Sequence, residues 1–335
     1  MSESLIFVSQ KMSRVRWKPN STSLQKSSVF AAGSYEDTKN SVSLWEITQT
    51  NKLKNNPEME DIDNGQPRKF SSYAVKGDVS GLDYADSSLI VAGTSCGDIL
   101  LFNSSESLVL QHEWNRLHGR GGCTDVATSL PGIVSVGEDG NINLMRIESK
   151  RPLRVIEHGD SCPITSVRYL TSSEIVTTNT VGQLRMWDTR SPSDSPTRIM
   201  VSSDQLVALR SVDHHATQSH VLATGGADGC VTLFDIRKEC APVNKLQVHD
   251  EDVWEVRFHK TSPSHLFTCS QDGSARRLDS TFDLKVMARD GGGSAPEVSE
   301  VVSKCGLSIN SLDVSGSSLV CCNDAEAIYV IEDAV

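Results

Sequence analysis

Several stretches of this chain carry residue types that can do chemistry. Asp213–His214–His215 sets a carboxylate beside two imidazoles, a donor set used in metal-dependent phosphoester hydrolysis. That chemistry needs further Asp-bearing motifs on an α/β scaffold. The sequence offers neither, so the three residues read as a polar turn. Gly119–Arg120–Gly121–Gly122 is glycine-rich, but no Lys-Ser/Thr pair follows it as in a phosphate-binding loop, and it reads as a flexible loop. His112, His118 and His158 are scattered without metal-ligand spacing and read as structural or solvated. The nine cysteines contain no CxxC pair, and several fall at inward strand positions, so they read as reduced, buried thiols of a cytosolic or nuclear protein. No activated nucleophile stands out. The expectation is a protein with no catalytic residues, no metal and no cofactor.

The bulk numbers narrow the field further. Lys plus Arg is 32 and Asp plus Glu is 43, a formal net charge of -11. An acidic surface repels phosphate backbones, and no Lys/Arg stripe reverses this, which argues against direct nucleic-acid binding. Residues 1–11 show no basic segment followed by a long apolar run, so no signal peptide is expected. No stretch approaches the ~18 apolar residues of a membrane helix.

The elements that must position these residues repeat. An apolar run, a tight glycine turn and an alternating strand ending in a bulky residue recur as Ile133–Ile147, Val221–Arg237 and Leu266–Asp279, with a looser copy at Ile175–Arg190. The turn glycines Gly97, Gly140, Gly182, Gly229 and Gly273 lie 42–47 residues apart, the period of a four-stranded propeller blade. The pattern predicts a single all-β domain over residues 1–335, a seven-bladed WD40 β-propeller. Surface loops are expected at about 48–68 and 281–303. The seventh unit stops at its third strand, and Leu5–Gln10 precedes the first inner strand, so the N-terminal segment is expected to supply the missing fourth strand. Such closure removes two unpaired sheet edges.

A full WD unit has a Trp ending its third strand, an Asp in the tight turn, a Ser/Thr in the second strand and a His before the first. Here Trp45 and Trp187 keep the aromatic, Asp139, Asp228 and Asp272 keep the turn Asp, and His158 and His249 are placed at the pre-strand position. These seven are the expected structural residues. Phe102, Met145, Phe234 and Leu278 replace the aromatic elsewhere, so packing is expected to dominate stability.

Three residues point to protein contacts. Trp254, in VWEVRF, falls between inward positions and is expected near the mouth of the ring, partly exposed, where a Trp makes a binding hot spot. Arg190 in WDTR and Arg237 in FDIR match the WDxR box of substrate receptors that dock on the adaptor of cullin-RING ubiquitin ligases. A guanidinium fork suits such contacts, although a cap on the blade surface explains the same pattern.

The segments Phe7–Trp17, Val134–Leu144, Val253–His259, His265–Ser274 and Ser311–Val330 resemble, in order and from end to end, the WD-repeat nucleoporin family of about 43 kDa. FVSQK near the start and NDAEAIYV near the end are its most diagnostic stretches. The resemblance implies a non-catalytic scaffold subunit of the Y-shaped outer-ring complex of the nuclear pore. As a monomeric propeller it would dock on an α-helical solenoid nucleoporin of the short arm, beside other outer-ring subunits. The resemblance also implies location at the nuclear envelope, support of transport, and relocation to kinetochores in mitosis.

Overall fold

The structure, a computed structural model, describes residues 2–20, 27–47, 66–119, 121–203, 205–238, 242–283 and 296–335. These residues form seven four-stranded antiparallel sheets and no helix. The innermost strands are Met12–Trp17, Val79–Tyr84, Cys123–Ser129, Ile164–Tyr169, Leu209–His214, Val253–Phe258 and Ile309–Ser315. Each contacts the innermost strand of the next blade, and the last contacts the first. The chain is therefore a closed seven-bladed propeller.

The ring closes through the N-terminus. Ser2–Phe7 pairs antiparallel with Ala327–Glu332 and becomes the fourth strand of blade seven. The pairing begins three residues earlier than the sequence suggested and ends at Phe7. Val8 still donates to the Glu326 carbonyl, but Ser9 takes a positive φ of 56° and turns the chain inward toward blade one. Ile6 and Val8 then pack on a cluster that joins Trp17, Phe30 and Trp45 of blade one to Val320, Ile328 and Val330 of blade seven.

The segment expected as a loop at 48–68 runs at its end into a strand, and that at 281–303 contains one. Pro67–Ala74 is the outer strand of blade one and Glu297–Val302 that of blade six. Neither shows apolar alternation, because an outer strand at the rim buries little. Of Pro67–Ala74, only Pro67 is buried, and Tyr73 meets Phe102 of blade two edge-on at 5.2 Å. Residues 48–65 and 284–295 of those two loops lie outside the described residues.

The glycine period has a geometric cause. At Gly97 and Gly140 the backbone is left-handed, with φ of 84° and 74°. A Cβ there would lie 2.1 Å from the His118 carbonyl oxygen and 2.0 Å from that of Asp160. Each turn thus presses against the chain entering the next blade, and its own carbonyl accepts from that chain's backbone N–H: Gly97 from His118, Gly140 from Asp160, Gly182 from Ser202, Gly229 from His249 and Gly273 from Cys305.

Candidate interaction surfaces

That ladder locates the pre-strand position in blades three to seven. His249 occupies it before blade six and bonds Asp272 Oδ2 at 3.2 Å and Thr268 Oγ1 at 2.8 Å. His118 occupies it before blade three, bonding Asp139 Oδ1 at 3.0 Å and Ser135 Oγ at 2.9 Å. The expected His158 does not. Its side chain is exposed, it adopts φ 50°, and among the described residues only its backbone N–H is engaged, by Asn141 Oδ1 at 2.8 Å. Two residues later, buried Asp160 takes the place and accepts from Asn179 Nδ2 at 2.8 Å and Arg185 Nε at 3.1 Å. Trp187 donates to Thr177 Oγ1 at 3.0 Å and Trp45 to Ser43 Oγ at 2.8 Å. Asp228 accepts from Lys245 and from the Cys230 amide rather than from a histidine. The networks are thus divided: the two blades with the His–Ser/Thr–Asp chain carry Met145 and Leu278 where Trp would stand.

Burial pushes the His249 imidazole down to about 4 against the pull of Asp272, so it is neutral at pH 7. Burial pushes Asp272 up, but hydrogen bonds from Ser274 and the Asp250 amide outweigh it and hold that carboxyl at about 2.

The inner strands build the channel. At their fifth residue the order around the ring is Arg16, Asp83, Ala127, Arg168, Asp213, Arg257, Asp313, so charge alternates in sign except at Ala127. The carboxylates also accept the next blade's backbone: Asp83 from Thr128 N at 2.9 Å, Asp213 from Phe258 N at 2.8 Å and Asp313 from Trp17 N at 2.7 Å. Deeper in the same strands Glu255 meets Arg16 through both terminal nitrogens and Arg257 at 3.0 Å, while Asp125 meets Arg168 at 2.9 Å. Asp213–His214–His215 belongs to this fabric. Asp213 and His214 end an inner strand, contrary to the expected turn, and buried His215 opens the turn and meets Phe258 edge-on at 5.1 Å. No group of three or more metal-ligating side chains occurs among the described residues.

At the second residue of the inner strands, near the channel mouth, four hydroxyls and an amide staple the blades in a partial ring. Ser13 donates to Val79 O, Ser80 to Cys123 O, Thr124 to Ile164 O and Thr165 to Leu209 O, and Asn310 closes the seam by donating to Met12 O at 3.1 Å. Arg210 and Trp254 occupy the two remaining positions and break the ring. The Arg210 guanidinium lies over the Trp254 indole at 5.2 Å and pairs with Asp252, and Trp254 Nε1 donates to Ser308 Oγ at 3.0 Å. Trp254 is half-buried and, with Tyr35 and exposed Leu307, lines a depression of about 630 Å³. The residue-2 hydroxyls are visible in the sequence once the inner strands are aligned; unaligned, they are ordinary serines and threonines.

Arg190 and Arg237 sit at the other end of the ring. Asp188 and Asp235 pair with the starts of their neighbouring strands, which in turn pair with the ends of the inner strands. Each arginine forks onto its own aspartate, Arg190 on Asp188 at 3.1 and 3.2 Å and Arg237 on Asp235 at 2.9 and 2.8 Å. Both guanidinium groups remain more than half exposed. Trp254 and the arginines therefore form separate surfaces on opposite faces.

No family model matches the chain. Curated relatives do. The chain is 36% identical to nucleoporin Nup43 of Mus musculus and 35% identical to that of Homo sapiens, over 97% of both chains in each case. It is 25% identical to the nuclear pore complex protein NUP43 of Arabidopsis thaliana, over 77% of this chain and 81% of that one. A seven-bladed WD propeller with that likeness along nearly its whole length belongs to the Nup43 family of nuclear pore nucleoporins.

Proposed function

We propose that this nucleoporin is a non-catalytic scaffold subunit of the outer-ring, Y-shaped complex of the nuclear pore, and that it docks by the Trp254 face on an α-helical solenoid nucleoporin. In this reading the propeller is monomeric by itself and works only inside the hetero-oligomer. It supports nucleocytoplasmic and mRNA transport at the envelope and moves to kinetochores with the complex in mitosis. The observation that carries the docking face is the break in the hydroxyl ring. At two successive positions the hydroxyl-to-backbone staple is replaced by an Arg and a Trp, the residue types enriched in binding hot spots, which reach the next blade through Asp252 and Ser308 instead. Tyr35 and Leu307 flank them on a surface suited to a helix end or helical ridge.

The test is affinity purification of the tagged chain, with Trp254→Ala and Leu307→Asp alongside. Outer-ring nucleoporins in fixed stoichiometry, and at least roughly 30-fold weaker recovery with Trp254→Ala, are expected from a hot spot of ~2 kcal/mol. Undiminished recovery removes the Trp254 face from the proposal. A second reading, a WDxR-type substrate receptor of a cullin-RING ligase, is favoured by Arg190 and Arg237 being exposed on one face. It predicts recovery of the ligase adaptor, abolished when both arginines become Ala.

A further inference from the structure

The face opposite Trp254 carries a groove of about 500 Å³ between blades three and four. Leu130 and Pro131, in the turn after the inner strand of blade three, form one side, and Leu153, just before the outer strand, forms another. Leu130 is 48% and Leu153 57% exposed, large values for leucines side by side in one concavity. Tyr169 of blade four lines the far wall. Its hydroxyl has no hydrogen-bond partner among the described residues, and burial pushes its pKa up to about 12, so it stays a neutral donor.

The charge around this apolar floor runs against the chain as a whole. Arg146, Arg154 and Arg190 line the groove and no Asp or Glu does, in a protein whose net charge is -11. Arg154 is occupied, donating to the Ser191 and Ser193 carbonyls and to Asp194. Arg190 shares its fork with Asp188. Arg146 is exposed and has neither an ion pair nor a side-chain hydrogen bond among the described residues, and exposed Lys150 and Arg151 follow it in the next turn without ion pairs there. Glu148 and Glu174 are not part of its lining, although the charge of Glu174 reaches Arg190 behind that of Asp188.

From these features we infer that the groove is a second docking site, which takes a short acidic segment of a partner protein. One or two bulky apolar side chains of that segment bury against Leu130, Pro131 and Leu153, while flanking carboxylates pair with Arg146 and Arg190 and accept from Tyr169. The volume suits two large side chains rather than a whole domain face. Apolar contact gives the affinity, and the unpaired cation selects carboxylates. The site is independent of the Trp254 surface, so the two can be occupied together.

The experiment is fluorescence anisotropy of the full chain with three probes: a labelled Asp-Glu-Phe-Asp-Leu-Glu hexapeptide, the same peptide with Phe and Leu replaced by Ser, and a labelled oligo-dT of equal charge. The acidic apolar peptide is expected to bind, with affinity reduced roughly tenfold or more by Arg146→Glu and by Leu153→Asp and unchanged by Trp254→Ala. Both substituted residues are exposed, and unchanged melting curves confirm the fold. Absence of binding overturns the inference. So does equal binding of the Ser peptide or of oligo-dT, which would mark a non-specific polyanion patch, and so does insensitivity to both groove substitutions.

Discussion

Glu255 offers the sharpest test of how the ring is held. It sits in the inner strand of blade six and is 2% exposed. It accepts from Arg16 of blade one, from Arg257 at 3.0 Å, and from Ser311 Oγ at 2.7 Å and Leu312 N at 3.1 Å in blade seven. One carboxylate thus joins three blades at the seam where the chain's ends meet. Glu255→Gln keeps the volume but leaves two buried guanidinium groups short of a counter-charge. Breaking a buried pair from one side costs about 3–5 kcal/mol. With ~2.1 cal/mol/K of unfolding entropy per residue, 335 residues give about 0.7 kcal/mol/K, so Tm should fall by about 4–7 °C.

Acid supplies a second readout of the same group. Burial alone would raise the Glu255 pKa, but the fields of Arg16 and Arg257, with Arg14 and Arg168 behind them, override it and hold it well below the carboxylate range. A carboxyl depressed in the folded state stabilises fully above its unfolded pKa of ~4.3 and loses that contribution as pH falls through the folded value. The Tm gap between the native chain and Glu255→Gln, measured by calorimetry, should therefore be flat from neutral pH down to ~5 and narrow in stronger acid. A gap under about 1 °C at neutral pH, or one that widens in acid, refutes the reasoning.

Other outcomes follow from the same geometry. His249, held near 4, should add a loss of stability as pH falls from ~6.5 toward 4, because only the unfolded chain gains that proton; the loss is about 3 kcal/mol at most and is absent in His249→Gln, as chemical denaturation across that window will show. Removing residues 1–9 takes away the fourth strand of blade seven together with Ile6 and Val8, at a cost of about 3 kcal/mol or more; a lower melting point and edge-driven oligomers by gel filtration are expected, and an unchanged melt counts against closure at this seam. Thr165→Val strips the staple to Leu209 and should cost about 1–3 kcal/mol by thermal melt.

Much of the wheel is written in local chemistry. The period of Gly97, Gly140, Gly182, Gly229 and Gly273 is legible because a left-handed turn jammed against the next blade admits no side chain. The exposure of Arg190 and Arg237 follows from strand ends, and the half-exposure of Trp254 from its place between buried Val253 and Glu255, where the strand is bulged. What failed to show has equally local causes. Pro67–Ala74 and Glu297–Val302 bury too little for a strand pattern. His158 stands 23 residues before Val181, while His249 stands 23 before Asp272, so spacing favoured it; the polar work there passed to Asp160, Asn179 and Arg185 instead. His118, 21 residues before Asp139, was obscured by the glycine-rich stretch that follows it.

The distribution of polar partners explains why a chain of this design acts at its rims. Along the channel, Arg16, Glu255, Arg257, Asp125 and Arg168 bind one another, and Asp83, Asp213 and Asp313 spend their oxygens on the backbone of the next blade. Pairing those charges across several blades at once makes the interior stiff, since shifting a blade separates a buried ion pair, although the Nε atoms of Arg16 and Arg168 find no hydrogen-bond partner among the described residues. The groups left over lie where the inner strands begin and where they end: Trp254 with Leu307 on one face, Arg146 with Leu130 and Leu153 on the other. A stiff ring between two such faces fixes the orientation of whatever each one holds. Compliance in the interior would lose that property even if both faces kept every contact, so Glu255 and Arg146 should separate in experiment, the first altering stability and the second altering only what the groove binds.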